Sequence, residues 1–282
     1  MNEPKYPFPA LTEEASLVDT HCHLDMDEYA ADLDDVLDRA HQQKVDRIIT
    51  IGIDLESSKK AVALARKYPG VSASVGVHPH NLPAATEAGY ADILGLVRDN
   101  RDVVVGYGEI GLDYVKKYHP PELQRRHFRL QLDMARAAAL PVIIHDREAH
   151  DDILRILDDS GPLPAGGVMH CFSGDYRFAS TLIDRGLHIS IPGVITFRNA
   201  ISLQEVVRKV PLASLLLETD GPFLAPHPWR GKRNEPAYVL YTASRVAELR
   251  GISLPSLARA TSENAAALFS LNTPSPESAS RS

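Results

Sequence analysis

The chain has 282 residues, 44% of them apolar and 24% charged, with a formal net charge of −7. That length allows a sizeable core, and the balance is that of an ordinary soluble protein. It excludes a global basic field, so any contact with nucleic acid must use a local patch or bound cations. Two cysteines, Cys22 and Cys171, exclude a disulfide framework and point to a reducing compartment. The opening residues show no basic start followed by an apolar core, and no apolar run approaches a membrane span. A cytoplasmic protein without membrane attachment is expected.

Short β-branched runs alternate with stretches of helical period. LVDTH (17–21) reads as the first strand and is followed by a helix over 32–43. VDRIITIG (45–52) leads to a helix over 56–68, and VSASVGV (71–77) precedes VVVGYGEIG (103–111). The helix over 122–138 has a broad apolar stripe from Leu123, Phe128, Leu130, Leu132 and Met134. VIIH (142–145), GVMHCF (167–172), LHISIPGVI (187–195) and SLLLETD (214–220) are the remaining strands. Helices over 147–159, 177–186 and 202–210 lie between them, and two more, over 238–251 and 254–271, follow.

About eight strands alternating with helices predict an α/β protein with a parallel sheet, closed as a (β/α)₈ TIM barrel over residues 1–272. Residues 1–16 form an N-terminal extension. The polar, Pro/Ser-rich tail 273–282 is expected to be disordered. A doubly wound open sheet is the competing fold, but no G-x-G-x-x-G follows the first strand.

Residues i and i+2 of a strand share a face, so His21 and His23 point one way and Cys22 the other. Other strand ends carry Glu109, His145, His170 and Asp220, and VGVHPH brings His78 and His80. In a (β/α)₈ barrel these ends converge on one mouth. Four imidazoles and two carboxylates suit a pair of divalent cations, with Glu109 the natural bridge. Such a set favours Zn²⁺ or Mn²⁺ over Mg²⁺. Cys22 and Cys171 are expected in the barrel wall. His41, His119, His127, His150 and His188 read as peripheral, and Asp25 as a cap or a support for a ligand histidine.

The stretches THCHLD, GVHPH, GEIGLDY, IIHDREA, HCFSG, GVITFRNA and ETDGPFLAPHPWRGKRNEP resemble the TatD family of metal-dependent deoxyribonucleases over about residues 17–270. The resemblance implies hydrolysis of phosphodiesters in DNA with divalent metals. It implies that His21, His23 and Asp220 hold one metal, that His145 and His170 hold the second, and that Glu109 bridges. Gly221 stands where the family commonly has serine, and Asp146-Arg147-Glu148 departs from its usual run.

The expected function is a two-metal nuclease acting on DNA or RNA ends, with Asp220 as general base. Arg147, Arg198, Arg230, Lys232 and His78 are expected to contact substrate. Trp229, beside the basic loop, is read as a base-stacking ring. An ester or amide hydrolase, such as an aminoacyl deacylase, is the alternative on the same barrel. A non-catalytic nucleic-acid binder is a further one. No obligate protein partner is inferred.

Overall fold

A computed structural model describes residues 6–12, 15–82 and 86–271. Eight parallel strands pair in sequence order, β1 (Leu17–Cys22), β2 (Val45–Ile51), β3 (Val71–Val75), β4 (Val104–Asp113), β5 (Val142–Arg147), β6 (Gly167–Met169), β7 (Leu187–Ile191) and β8 (Leu215–Leu217). A parallel bridge between Cys22 and Gly221 brings the last strand back to the first. Two hydrogen bonds tighten that seam, His23 N to Gly221 O at 2.7 Å and Asp220 N to His21 O at 2.9 Å. The expected TIM barrel is therefore the fold.

Around it lie α1 (Leu33–Gln42), α2 (Leu55–Lys67), α3 (Glu87–Asp99), α4 (Pro121–Ala138), α5 (His150–Ser160), α6 (Tyr176–Ile183), α7 (Ile201–Lys209), α8 (Val239–Arg250) and α9 (Leu254–Phe269). The strand period sorts their contacts. Val18, Ile49, Ile51, Ile143, Val168 and Leu216 form an inner cluster with Phe269 and Leu271 at the end of α9. Their neighbours Leu17, Ile48, Val142, Ile144, Met169, Leu215 and Leu217 pack outward with the helices. Each such side chain, fully buried, is worth roughly 1.5–3 kcal/mol.

Several boundaries differ from the sequence pattern. α3 was not legible, because Gly89 and Gly95 interrupt its period; it buries Tyr90, Ile93 and Val97, and Thr86 caps it. β6 and β8 end at Met169 and Leu217, so His170 and Asp220 follow the strands proper, each still held to a neighbouring strand by its backbone N–H, to Ile144 O and His21 O. β7 ends at Ile191 and a 3₁₀ turn follows at Gly193–Thr196. β5 extends to Arg147, which delays α5 to His150. The tail 273–282 lies outside the described residues. Among the described residues, no helix is long and apolar enough to cross a membrane.

Two strands break strict alternation where the chemistry sits. Asp19 pairs with Ile48 and Cys22 with Thr50, so β1 carries one extra residue against β2. Tyr107 pairs with Val142 and Ile110 with Ile144, so β4 carries one extra residue against β5. Such bulges re-aim side chains. From the inner Val18, uninterrupted alternation would turn Cys22 inward. The bulge turns it outward instead, with Sγ 3.8 Å from Tyr29 Oη and 3.5 Å from Gly221 O. Cys22 is buried in the wall, as expected.

Candidate metal centre

The barrel mouth holds a cavity of about 570 Å³ lined by His23, His78, Glu109, His145, His170 and Asp220, among others. Glu109 is buried at its centre, where the bulge of β4 delivers it. Its Oε2 lies 3.4 Å from His21 Nε2 and 3.8 Å from His23 Nε2. Its Oε1 lies 2.7 Å from both His145 Nδ1 and His170 Nε2. Asp220 Oδ1 completes the first half, 3.7 Å from His21 Nε2 and 3.5 Å from His23 Nε2. The two oxygens of one carboxylate thus face two separate histidine pairs.

His78 lines the cavity. It is buried, with Nε2 3.4 Å from Glu109 Oε1, and it forms a metal-competent group with Glu109 and His145. His80 instead meets Asp113, Nε2 to Oδ2 at 2.8 Å.

Buried supports hold the cluster in shape. Asp19 accepts hydrogen bonds from Thr219 N at 2.9 Å, Thr219 Oγ1 at 2.5 Å and His21 N at 3.3 Å, fixing the segment after β8 against β1. Burial pushes the Asp19 carboxyl up to about 8. Glu218 accepts from Cys171 N at 2.6 Å, and its Oε1 lies 3.6 Å from His170 Nδ1. Asp25 accepts from Ser57 Oγ at 2.7 Å, which ties β1 to α2.

The charges act on one another strongly. Burial lowers His21, and it lowers His78 to about 4. At His170 burial acts the same way, but Glu109 and Glu218 outweigh it and raise the ring well above its ordinary value. Burial opposes ionisation of Glu109, yet the surrounding imidazoles, His170 foremost, hold its carboxyl well below the usual range. Burial likewise opposes ionisation of Asp220, and His23 and His21 hold it down.

The residues fit divalent cations. His21 Nε2, which faces Glu109 and Asp220, is buried without a hydrogen-bond partner, and the donor atoms of His21, His23 and Asp220, and those of His78, Glu109 and His145, gather within 4.8 Å of one another in each group. Native interiors leave few buried polar atoms unsatisfied. Converging imidazole and carboxylate lone pairs are the donors that Zn²⁺ and Mn²⁺ take.

Not every expected substrate contact reaches this cavity. Arg147 lines it, and so does Lys116, which the sequence pattern did not single out. Arg198 faces a different cleft. Arg230 lies over the Phe197 ring, 4.6 Å from its centroid, and neither it nor Lys232 lines the cavity. The loop after β8 leads both outward. Trp229 is not a free stacking ring: it stacks on Tyr238 at 5.2 Å and meets Tyr6 edge-on at 5.3 Å. Phe223, 45% exposed at the cavity wall, is the aromatic available there.

Cys171 also departs from expectation. It lines the cavity, because the strand period ends at Met169 and Cys171 takes a left-handed φ of 45°. Burial raises its thiol well above the ordinary value, so it is not a poised thiolate. Asp146 accepts from Ala149 N at 3.1 Å just before α5 and pairs with His150 Nδ1 at 2.6 Å. Gly221 has a steric reason. A Cβ there would lie 2.4 Å from Tyr29 Oη, so this chain fills the place of a side chain with its own tyrosine.

A closed parallel barrel with histidines and carboxylates gathered at its strand ends is the architecture of a metal-dependent hydrolase. The family model for TatD-related DNases matches residues 18–270, and the chain belongs to that family. It is 41% identical to the uncharacterized metal-dependent hydrolase YabD of Bacillus subtilis, over 91% of this chain and all of that one. It is 36% identical to the 3'-5' ssDNA/RNA exonuclease TatD of Salmonella typhimurium, over 90% of this chain and 98% of that one. The crystal structure of YJJV, a TatD homologue from Escherichia coli K12, superposes with a TM-score of 0.87 at 33% identity, covering 91% and 98% of the two chains.

Proposed function

We propose that the chain is a nuclease that hydrolyses phosphodiester bonds at the ends of DNA or RNA with two divalent cations. The observation that carries this reading is the division of Glu109, whose two oxygens face two histidine pairs. His21, His23 and Asp220 are assigned to one cation and His145 and His170 to the other, with Glu109 shared. When bound, the cations supply Lewis acidity to a water and to the phosphoryl oxygens. Asp220 accepts the proton of the attacking water.

The rim supports a phosphodiester substrate. Lys116 and Arg147 are exposed at the cavity, and their side chains pair with no carboxylate among the described residues. They are assigned to flanking phosphates, and Phe223 to the terminal base. The exonuclease name of the Salmonella relative agrees with this substrate class.

The test is digestion of end-labelled single-stranded DNA and RNA by purified protein across Mg²⁺, Mn²⁺ and Zn²⁺. Stepwise shortening that stops on chelation is expected, with a preference for Mn²⁺ or Zn²⁺. Intact oligonucleotides alongside a hydrolysed aminoacyl ester would overturn the nuclease reading in favour of the ester hydrolase. Metal-independent binding without cleavage of either would leave only a binder.

A further inference from the structure

We infer that the polar cleft beside the metal cavity is a second subsite for the backbone of single-stranded nucleic acid, engaging phosphates upstream of the end being cut. This rests on the nuclease reading of the metal centre and extends it to longer substrates.

The cleft, about 310 Å³, lies between the 3₁₀ turn after β7, the start of α7 and one face of α8. Arg198, Gln204, His227, Arg245 and Glu248 supply its polar lining. The loops after β7 and β8 are pressed together between the two cavities. A Cβ on Gly193 would lie 2.8 Å from Leu224 O and 3.1 Å from Pro226 N, and His227 N donates to Thr196 Oγ1 at 2.8 Å. Leu224 lines the metal cavity and His227 the cleft. Only Ala225 and Pro226 intervene, so the two linings stand at most roughly 11 Å apart along the chain, a span that a few nucleotides of one strand cover.

The charges favour phosphate. Several arginines of the barrel surface are bound to carboxylates, as Arg39 is to Glu235, Arg125 to Asp152 and Arg185 to Asp158. Arg198 and Arg230 pair with none among the described residues. Arg230 is fixed over Phe197, a lining ring, so its charge stands at the edge of the cleft. Arg245 is offset by Glu248 at 2.7 Å, which leaves two uncompensated guanidiniums. Among the described residues, both aromatic rings that line the cleft already make a contact. Tyr241 is occupied by Phe8 at 5.2 Å and Phe197 by Arg230, so the cleft holds phosphates rather than bases.

One wall is particular to this chain's N-terminal segment. Tyr241 Oη donates to Tyr6 O at 3.2 Å and lies 3.4 Å from Pro7 O, and Pro9 lines the cleft. These residues precede the family match, which begins at Val18.

The experiment compares kcat/KM on an oligothymidylate trinucleotide and dodecanucleotide, across salt, for the parent, Arg198→Ala/Arg230→Ala and Arg198→Lys/Arg230→Lys. The alanine pair should lose about tenfold on the dodecanucleotide and less than about twofold on the trinucleotide. Its salt slope on the long substrate should fall by about 1.4, from roughly 0.7 per phosphate contact on a single strand. The lysine pair should recover most of both. Equal losses on the two lengths, an unchanged slope, or a loss that lysine does not rescue would overturn the subsite. A parent that cuts neither oligonucleotide would instead overturn the nuclease reading beneath it.

Discussion

Asp220→Asn is expected to keep the fold and most of its bound metal while losing roughly 10²–10⁴-fold in turnover. The backbone at this position is held from β1, through Asp220 N to His21 O at 2.9 Å, and takes a left-handed φ of 57°. Asparagine adopts that conformation as readily as aspartate. Its amide oxygen can stand where Oδ1 stands, 3.5 Å from His23 Nε2, so the metal-facing half of the role survives. The amide cannot accept a proton at neutral pH, so the base is lost. Turnover on a short oligonucleotide, with metal content measured on the same samples, checks this. A metal-replete Asp220→Asn within a few-fold of the parent would show that the base is another group, and His78 would be the first suspect.

Glu109→Gln should weaken metal binding at both halves of the centre at once, by at least about 100-fold. Losing a group that merely orients a ligand already costs 10–100-fold, and Glu109 is itself assigned as a ligand. Glutamine keeps one oxygen and replaces the other with an NH₂ that cannot bind a cation. Whichever way the amide turns, either the pair His21 and His23 or the pair His145 and His170 faces nitrogen. The lost negative charge also removes the partner that balances those rings. Metal titration followed by calorimetry and activity should show both transitions displaced, and excess metal should not restore parental turnover. Parental affinity in Glu109→Gln would remove Glu109 from its bridging role.

The sequence pattern carried the barrel and the composition of the mouth, because eight apolar runs and the polar groups at their ends are local signals. It carried less of the geometry. His21 and His23 were read from simple alternation, yet their common aim depends on a bulge in β1 that involves pairing with β2. Glu109 depends on a second bulge, against β5. Neither is visible in one strand alone. Glu218 and Asp113 were missed as supports, although their places in ETD and GLDY, near Asp220 and Glu109, were a usable signal. Trp229 was misread because its partners Tyr6 and Tyr238 lie far apart in sequence. Arg198, Arg230 and Lys232 do lie on the loops after β7 and β8, but loop direction, which decides what they face, is a tertiary property.

The central claim is that one carboxylate joins two cation sites built from different strands. Elemental analysis of gently purified protein, parent against His21→Ala/His23→Ala, tests it most directly. The parent is expected to carry two divalent ions per chain, and the double variant about one, retained by His145 and His170 with Glu109. A folded double variant that keeps both ions in full would contradict the account.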